Sequence, residues 1–153
     1  MKEHDPDFAP RVRASFAKQQ LMTTIGATLE RVEPGRVDIR LPVRQDLTQQ
    51  HGFLHAGAIA TIADSACGYA ALSLMPAGAD VLSIEFKVNM LSPATGDAIV
   101  ARGVVIRAGR SIMVCRADVY SISASQEKLI AAMQGTMMVV TEREEGKREQ
   151  GQV

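Results

Sequence analysis

Residues 56–75, AGAIATIADSACGYAALSLM, constrain this chain more than any other segment. About twenty residues rich in alanine and without internal proline read as one long helix, which Pro76 and Gly78 bring to an end. The segment is apolar on nearly every side, so in a folded domain it must be surrounded by protein and not laid on a surface. Asp64, Ser65 and Ser73 interrupt it too often for a membrane span.

The remaining sequence says what can surround that helix. Residues 24–43 alternate, with Ile25, Ala27 and Leu29 in one run and Val37, Ile39 and Leu41 in the next; Pro34-Gly35 between them predicts a hairpin. Pro42 means that the second strand ends there or lies at a sheet edge. Four further β-like runs, 80–90, 98–108, 112–121 and 129–140, are separated by SPATGD, AGR and SASQEK, and read as an antiparallel meander. One sheet can hide a single long helix only by curling around it. The expected class is therefore α+β, an antiparallel sheet of about six strands wrapped around one long central helix, as in the hotdog fold. A curled sheet leaves one side of the helix thinly covered, so a second subunit is expected to close it. Residues 8–20 carry Phe8, Val12 and Phe16 at helical spacing, giving an N-terminal helical segment over 1–22, a hotdog domain over 23–141 and a charged, disordered tail over 142–153.

Composition removes several function classes. Seventeen basic and seventeen acidic residues balance, so no global field draws the chain to nucleic acid or to an anionic membrane. Aromatic residues make up 4%, which leaves few platforms for stacking bases. Cys67 and Cys115 lie in apolar segments without CxxC pairing and read as buried thiols of a reducing compartment; with no apolar leader in MKEHDPDFAPRVRASF, a cytoplasmic protein is expected. His4 and His51 have no ligand partners at metal spacing, and the phosphate-loop, dinucleotide and nucleophile-elbow motifs are missing, so no metal or cofactor is expected.

Chemistry concentrates in QDLTQQHGFLHAGAIATIADSACG. A carboxylate midway along an Ala-rich helix costs several kcal/mol in desolvation unless it is paired or kept neutral, so Asp64 calls for a reason. Catalysis is one; a local hydrogen bond to Ser65 or Thr61, or a wet subunit seam, is another. The first turn of the helix offers unpaired N–H groups and partial positive charge to a developing oxyanion, and Gly52, Ala56 and Gly57 let a carbonyl come close to the backbone. His55, beside that turn, suits a general base or a structural hydrogen bond.

The string Gln49-x5-His55-Ala56-Gly57-x6-Asp64, followed by Ser83 and LSPATGD, resembles the PaaI-type hotdog thioesterases over about residues 24–140. Their usual pattern is Asn or Gln, then HGG at the helix start, then Asp or Glu within the helix. The resemblance implies hydrolysis of acyl-CoA thioesters to a carboxylic acid and CoA, at sites on a dimer seam, in dimers or in tetramers built as paired dimers. It makes Asp64 the catalytic base or nucleophile, Gln49 the amide that orients water or carboxylate, and Ala56 the backbone donor to the thioester carbonyl. His55 becomes a supporting histidine and Ser83 an assisting hydroxyl. Gly57 and Phe53 would line the substrate, with Tyr69 and Met75 nearby, and Arg107, Arg110 and Arg116 are candidates for the CoA phosphates. Two departures stand out: Ala56 replaces the first glycine of HGG, and Gln49 accompanies an Asp where Asn is usual. The rival readings are a hotdog dehydratase or hydratase, and a non-catalytic acyl-ligand-binding module. A pure binder of apolar chains gains nothing from Asp64 in its tunnel.

Overall fold

The computed structural model describes residues 5–124 and 126–141. The elements are α1 (Phe8–Lys18), α2 (Gln20–Ile25), β1 (Thr28–Glu33), β2 (Arg36–Pro42), a 3-10 turn (Gln45–Leu47), α3 (Ala56–Leu72), β3 (Ala79–Met90), β4 (Ala98–Ala108), β5 (Ile112–Ser123) and β6 (Gln126–Thr141). All six strands form one antiparallel sheet that packs against α3, the α+β hotdog arrangement.

The alanines of α3 let the helix come down onto the sheet. Ala63, Ala66, Cys67 and Ala70 are fully buried, and a Cβ added to Gly103 of β4 would lie 2.4 Å from the Ala66 carbonyl. No side chain fits at 103 unless helix and sheet separate. Val37, Ile39, Leu41, Ile99, Ala101, Val119, Met133 and Met137 close the core around this contact. Cys67 and Cys115 are buried free thiols, and burial pushes Cys115 up to about 12 and Cys67 higher still.

The strand order is β1-β2-β4-β5-β6-β3, which corrects the simple meander: β3 pairs with β6 at the far edge and not with β4. The reason is geometric. A 17-residue helix covers about 25 Å, while the four strand spacings from β2 to β3 cover about 19 Å, so α3 spans the sheet and delivers β3 to its opposite side.

Other boundaries shift as well. The helical N-terminal segment breaks at Gln19, resumes as α2 and ends only at Gly26, which is left-handed (φ 78°); Ile25, read as strand, is helical, and β1 begins at Thr28. Pro42 is the last residue of β2, an interior strand. SASQEK contains strand on both sides, because β5 runs to Ser123 and β6 starts at Gln126. The long helix stops at Leu72, before Met75, where the Ser73 hydroxyl donates to Ala70 O and accepts from Gly35 N–H. The expected tail lies outside the described residues.

α1 is tied to this end of the core. The Arg11 guanidinium donates to the carbonyls of Leu72, Met75, Pro76 and Ala79, and the Phe16 and Tyr69 rings meet at 5.7 Å. On the outer sheet face, Asp38 of β2 is only 6% exposed. Its Oδ2 lies 3.6 Å from Arg31 Nε while Oδ1 has no partner among the described residues, and burial holds its pKa above the usual carboxylate value despite Arg31, Arg36 and Arg102.

The edge strand β3 stands apart. Leu82, Ile84, Phe86, Met90 and the following Leu91 are 43–54% exposed along an edge with no pairing partner among the described residues. Such an edge is a template for another strand. Among the described residues no helix is long and apolar enough to cross a membrane.

Candidate active site

α3 is not enclosed on every side, as its composition suggested. Thr61, Asp64, Ser65 and Gly68 recur at helical spacing and stay partly exposed, forming an open stripe down one flank. Asp64 sits at its middle. The Ser83 hydroxyl of β3 donates to Asp64 Oδ1 at 2.7 Å and lies 3.3 Å from Met137 Sδ. Of the local partners weighed for Asp64, Thr61 bonds instead to the Gly57 carbonyl. One carboxylate oxygen is thus held and the other faces open space.

The start of α3 is a second construction. His55 is the N-cap: its Nδ1 accepts from Gly57 N–H at 2.8 Å, and a Cβ on Gly57 would lie 3.0 Å from that nitrogen. The cap thus needs glycine at 57, and it leaves the neutral imidazole's proton on Nε2. Ala56 N–H has no acceptor among the described residues and is the free donor of the first turn. Gln49 stands in a tight loop closed by the Thr48–Leu54 bridge and Gly52 (φ 83°), and its Oε1 accepts from His51 N–H. Its amide NH2 therefore remains to donate.

Three cavities result within one chain. Gln49, Phe53 and Ala56 share one with Met90 and Leu91; Asp64 lines two others, one with Gly57, Leu21 and Phe86, and one with Ser83, Tyr69 and the N-terminal residues Ser15, Lys18 and Gln19. The single chain does not bring Gln49 and Ala56 to Asp64.

The sheet and helix that carry these two constructions are matched by known proteins. The thioesterase superfamily model covers residues 51–126. A crystal structure of a thioesterase family protein from Silicibacter pomeroyi superposes with a TM-score of 0.86 at 48% identity, over 88% of this chain and 98% of that one. Human acyl-coenzyme A thioesterase 13 is 30% identical over 105 residues, 68% of this chain and 73% of its own. This chain belongs to the thioesterase superfamily. The PaaI protein of E. coli shares the fold, with a TM-score of 0.80 at 19% identity over 90% of this chain and 96% of its own.

As a superfamily member the chain is a thioester hydrolase, and its remaining candidate residues are scattered. Arg107 and Arg110 are exposed at the β4–β5 end of the sheet and line neither the Asp64 nor the Ala56 cavity. Arg116 is 2.9 Å from Asp118 on the outer face. Met75 is fully buried in the core and does not line the site, whereas Tyr69 does. Sequence reasoning missed the part played by the N-terminal arm. Gln19 Nε2 donates to the Tyr69 hydroxyl at 2.8 Å, and Gln19 lines both cavities that meet at Asp64. The usable signal was the 61, 64, 65, 68 stripe, a polar seam in a helix that otherwise has none.

Proposed function

We propose that this protein hydrolyses acyl-CoA thioesters in the cytoplasm, at sites shared between two copies of the chain. The observation that carries the reading is the placement of the two half-sites along the open outer edge of strand β3. Ser83, holding Asp64, lies near one end, and Met90, beside Ala56 and Gln49, lies at the other, about 23 Å away at 3.3 Å per residue. Two copies joined through antiparallel β3 edges would set the Ser83 end of one against the Met90 end of the other and cover the apolar strip. Each site then takes Ala56 and Gln49 from one copy and Asp64 and Ser83 from its partner. Gln49 and Ala56 come from the same copy, since they share a cavity.

In the reaction, the thioester carbonyl oxygen rests against Ala56 N–H, with Gln49 NH2 as a further donor. Asp64 takes a proton from water as the water oxygen bonds to the carbonyl carbon. Collapse of the tetrahedral intermediate breaks the C–S bond, and the thiolate leaves readily and takes the proton back from Asp64. Water and thioester become carboxylic acid and free thiol, with no external oxidant or cofactor. Ser83 keeps the carboxylate aimed, and His55 holds the helix start in shape.

Thiol release from a panel of acyl-CoAs tests the activity, and complementation tests the shared site. Asp64→Asn and Gln49→Ala homomers should be at least about 100-fold and 10-fold impaired, respectively. A co-expressed heterodimer of the two should recover about half of wild-type turnover, because one of its two sites keeps both groups. Failure to complement in a confirmed heterodimer places Gln49 and Asp64 of one chain in the same site and ends the composite model.

A further inference from the structure

Resting on the thioesterase reading, we propose that the cavity between Asp64 and the N-terminal arm selects acyl groups that carry a hydroxyl or carbonyl oxygen at their far end. The two compartments that meet at Asp64 differ in kind. The one toward the helix start is faced by Leu21, Met22, Ala60 and Phe86. The other, of about 320 Å³, is lined mainly by polar side chains, Lys18 and Asp80 among them, and it reaches the buried Tyr69 and Ser15 of α1.

Tyr69 is the group left incomplete there. Its hydroxyl accepts from Gln19 Nε2 at 2.8 Å, but its nearest side-chain acceptor, Ser15 Oγ, stands 3.4 Å off, long for a bond between hydroxyls. Burial raises its pKa, so the hydroxyl stays a donor at neutral pH. A ligand oxygen would complete that geometry, while a methyl group in its place would leave the tyrosine proton unanswered. From Asp64 to Tyr69 is five helical residues, about 7.5 Å of rise and roughly the reach of a six-carbon acyl chain. α1 walls the far end, where Phe16 packs on the Tyr69 ring and Arg11 is clamped to the end of α3. A compartment of this size suits the acyl half of the thioester better than the longer CoA arm.

The experiment compares hexanoyl-CoA with 6-hydroxyhexanoyl-CoA, both in thiol release and, as non-hydrolysable thioether analogues, in calorimetric binding. Wild type should prefer the hydroxylated member at least tenfold in kcat/KM and in affinity. Tyr69→Phe should shrink both ratios toward one, and Gln19→Met, which leaves the ring in place, should shrink them in part. Equal handling of the two acyl groups by wild type, or ratios that neither substitution alters, overturns the proposal and leaves the hydrolase reading intact. Discrimination in binding without any thiol release does the reverse: the selective cavity stands and the hydrolase reading falls.

Discussion

The two flanks of α3 are built on opposite rules from the same small residues. On the sheet side, Ala63, Ala66 and Cys67 are fully buried, and the helix backbone sits so close to Gly103 that even a methyl group is excluded. On the open side, Thr61, Asp64, Ser65 and Gly68 face cavities, and a Cβ added at Gly68 would meet nothing within 4 Å. Smallness serves contact on one flank and vacancy on the other. Stability should therefore be lost from the first and activity from the second.

The most severe way to break this contrast is Gly103→Ala. Its new methyl would overlap the Ala66 carbonyl, so the variant should fail to give a folded protein, as judged by soluble yield and a cooperative melt. A stable, active Gly103→Ala protein would show the helix free to lift and the packed flank misdescribed. Next is Asp64→Asn, which preserves shape and the acceptor for Ser83 but removes the charge. Turnover should fall at least about 100-fold while the melting temperature holds or rises. Wild-type turnover in that variant removes Asp64 from the chemistry.

Asp38 sharpens the comparison, being a carboxylate on neither flank. Burial raises its pKa in the folded chain, so folding disfavours its ionised form. Its relative stabilisation is present below the unfolded-state pKa and is lost as the pH rises through the higher folded value. Asp38→Asn should accordingly melt a few degrees above wild type at pH 7, with the gap narrowing as the pH falls toward about 4; a constant gap would assign the effect to packing. The smallest effect is expected of Gly68→Ala, a gain of about 0.5–1 kcal/mol in a denaturant titration, since a partly exposed helical glycine with open space at its Cβ gains propensity without a clash. A loss there would mean that the open flank is more crowded than the empty space around Gly68 implies.

Much of this was legible because it depends on local chemistry. The Ala-rich run and Pro34-Gly35 specify their elements through propensity and turn geometry, and β2 and β4 lie within a residue of their expected bounds. The candidate residues near α3 were readable because a carboxylate in an apolar helix is costly wherever it sits. Strand order was not readable. Nothing in 80–90 distinguishes pairing with β4 from pairing with β6, and only the span of α3 decides it. The Tyr69–Gln19 contact joins residues fifty positions apart, and neither has a pattern that announces the other. Gly26, two residues beyond the point where the first strand was expected to start, was the one local sign that the helix had not yet ended.

The pairing of β3 with β6 also has a bearing on synthesis. Ser83 is registered against Met137, so the strand that positions the hydroxyl beside Asp64 is secured by a strand made more than fifty residues later. Until then Leu82, Ile84 and Phe86 have neither their sheet neighbour nor any second copy to cover them. A growing chain thus carries its most adhesive strand for roughly fifty residues before it can be housed, a long-range closure of the sort that slows folding and invites capture by chaperones. The hydroxyl that meets Asp64 is therefore set well after α3 is made, and the interval between the two is when the chain is most in need of help.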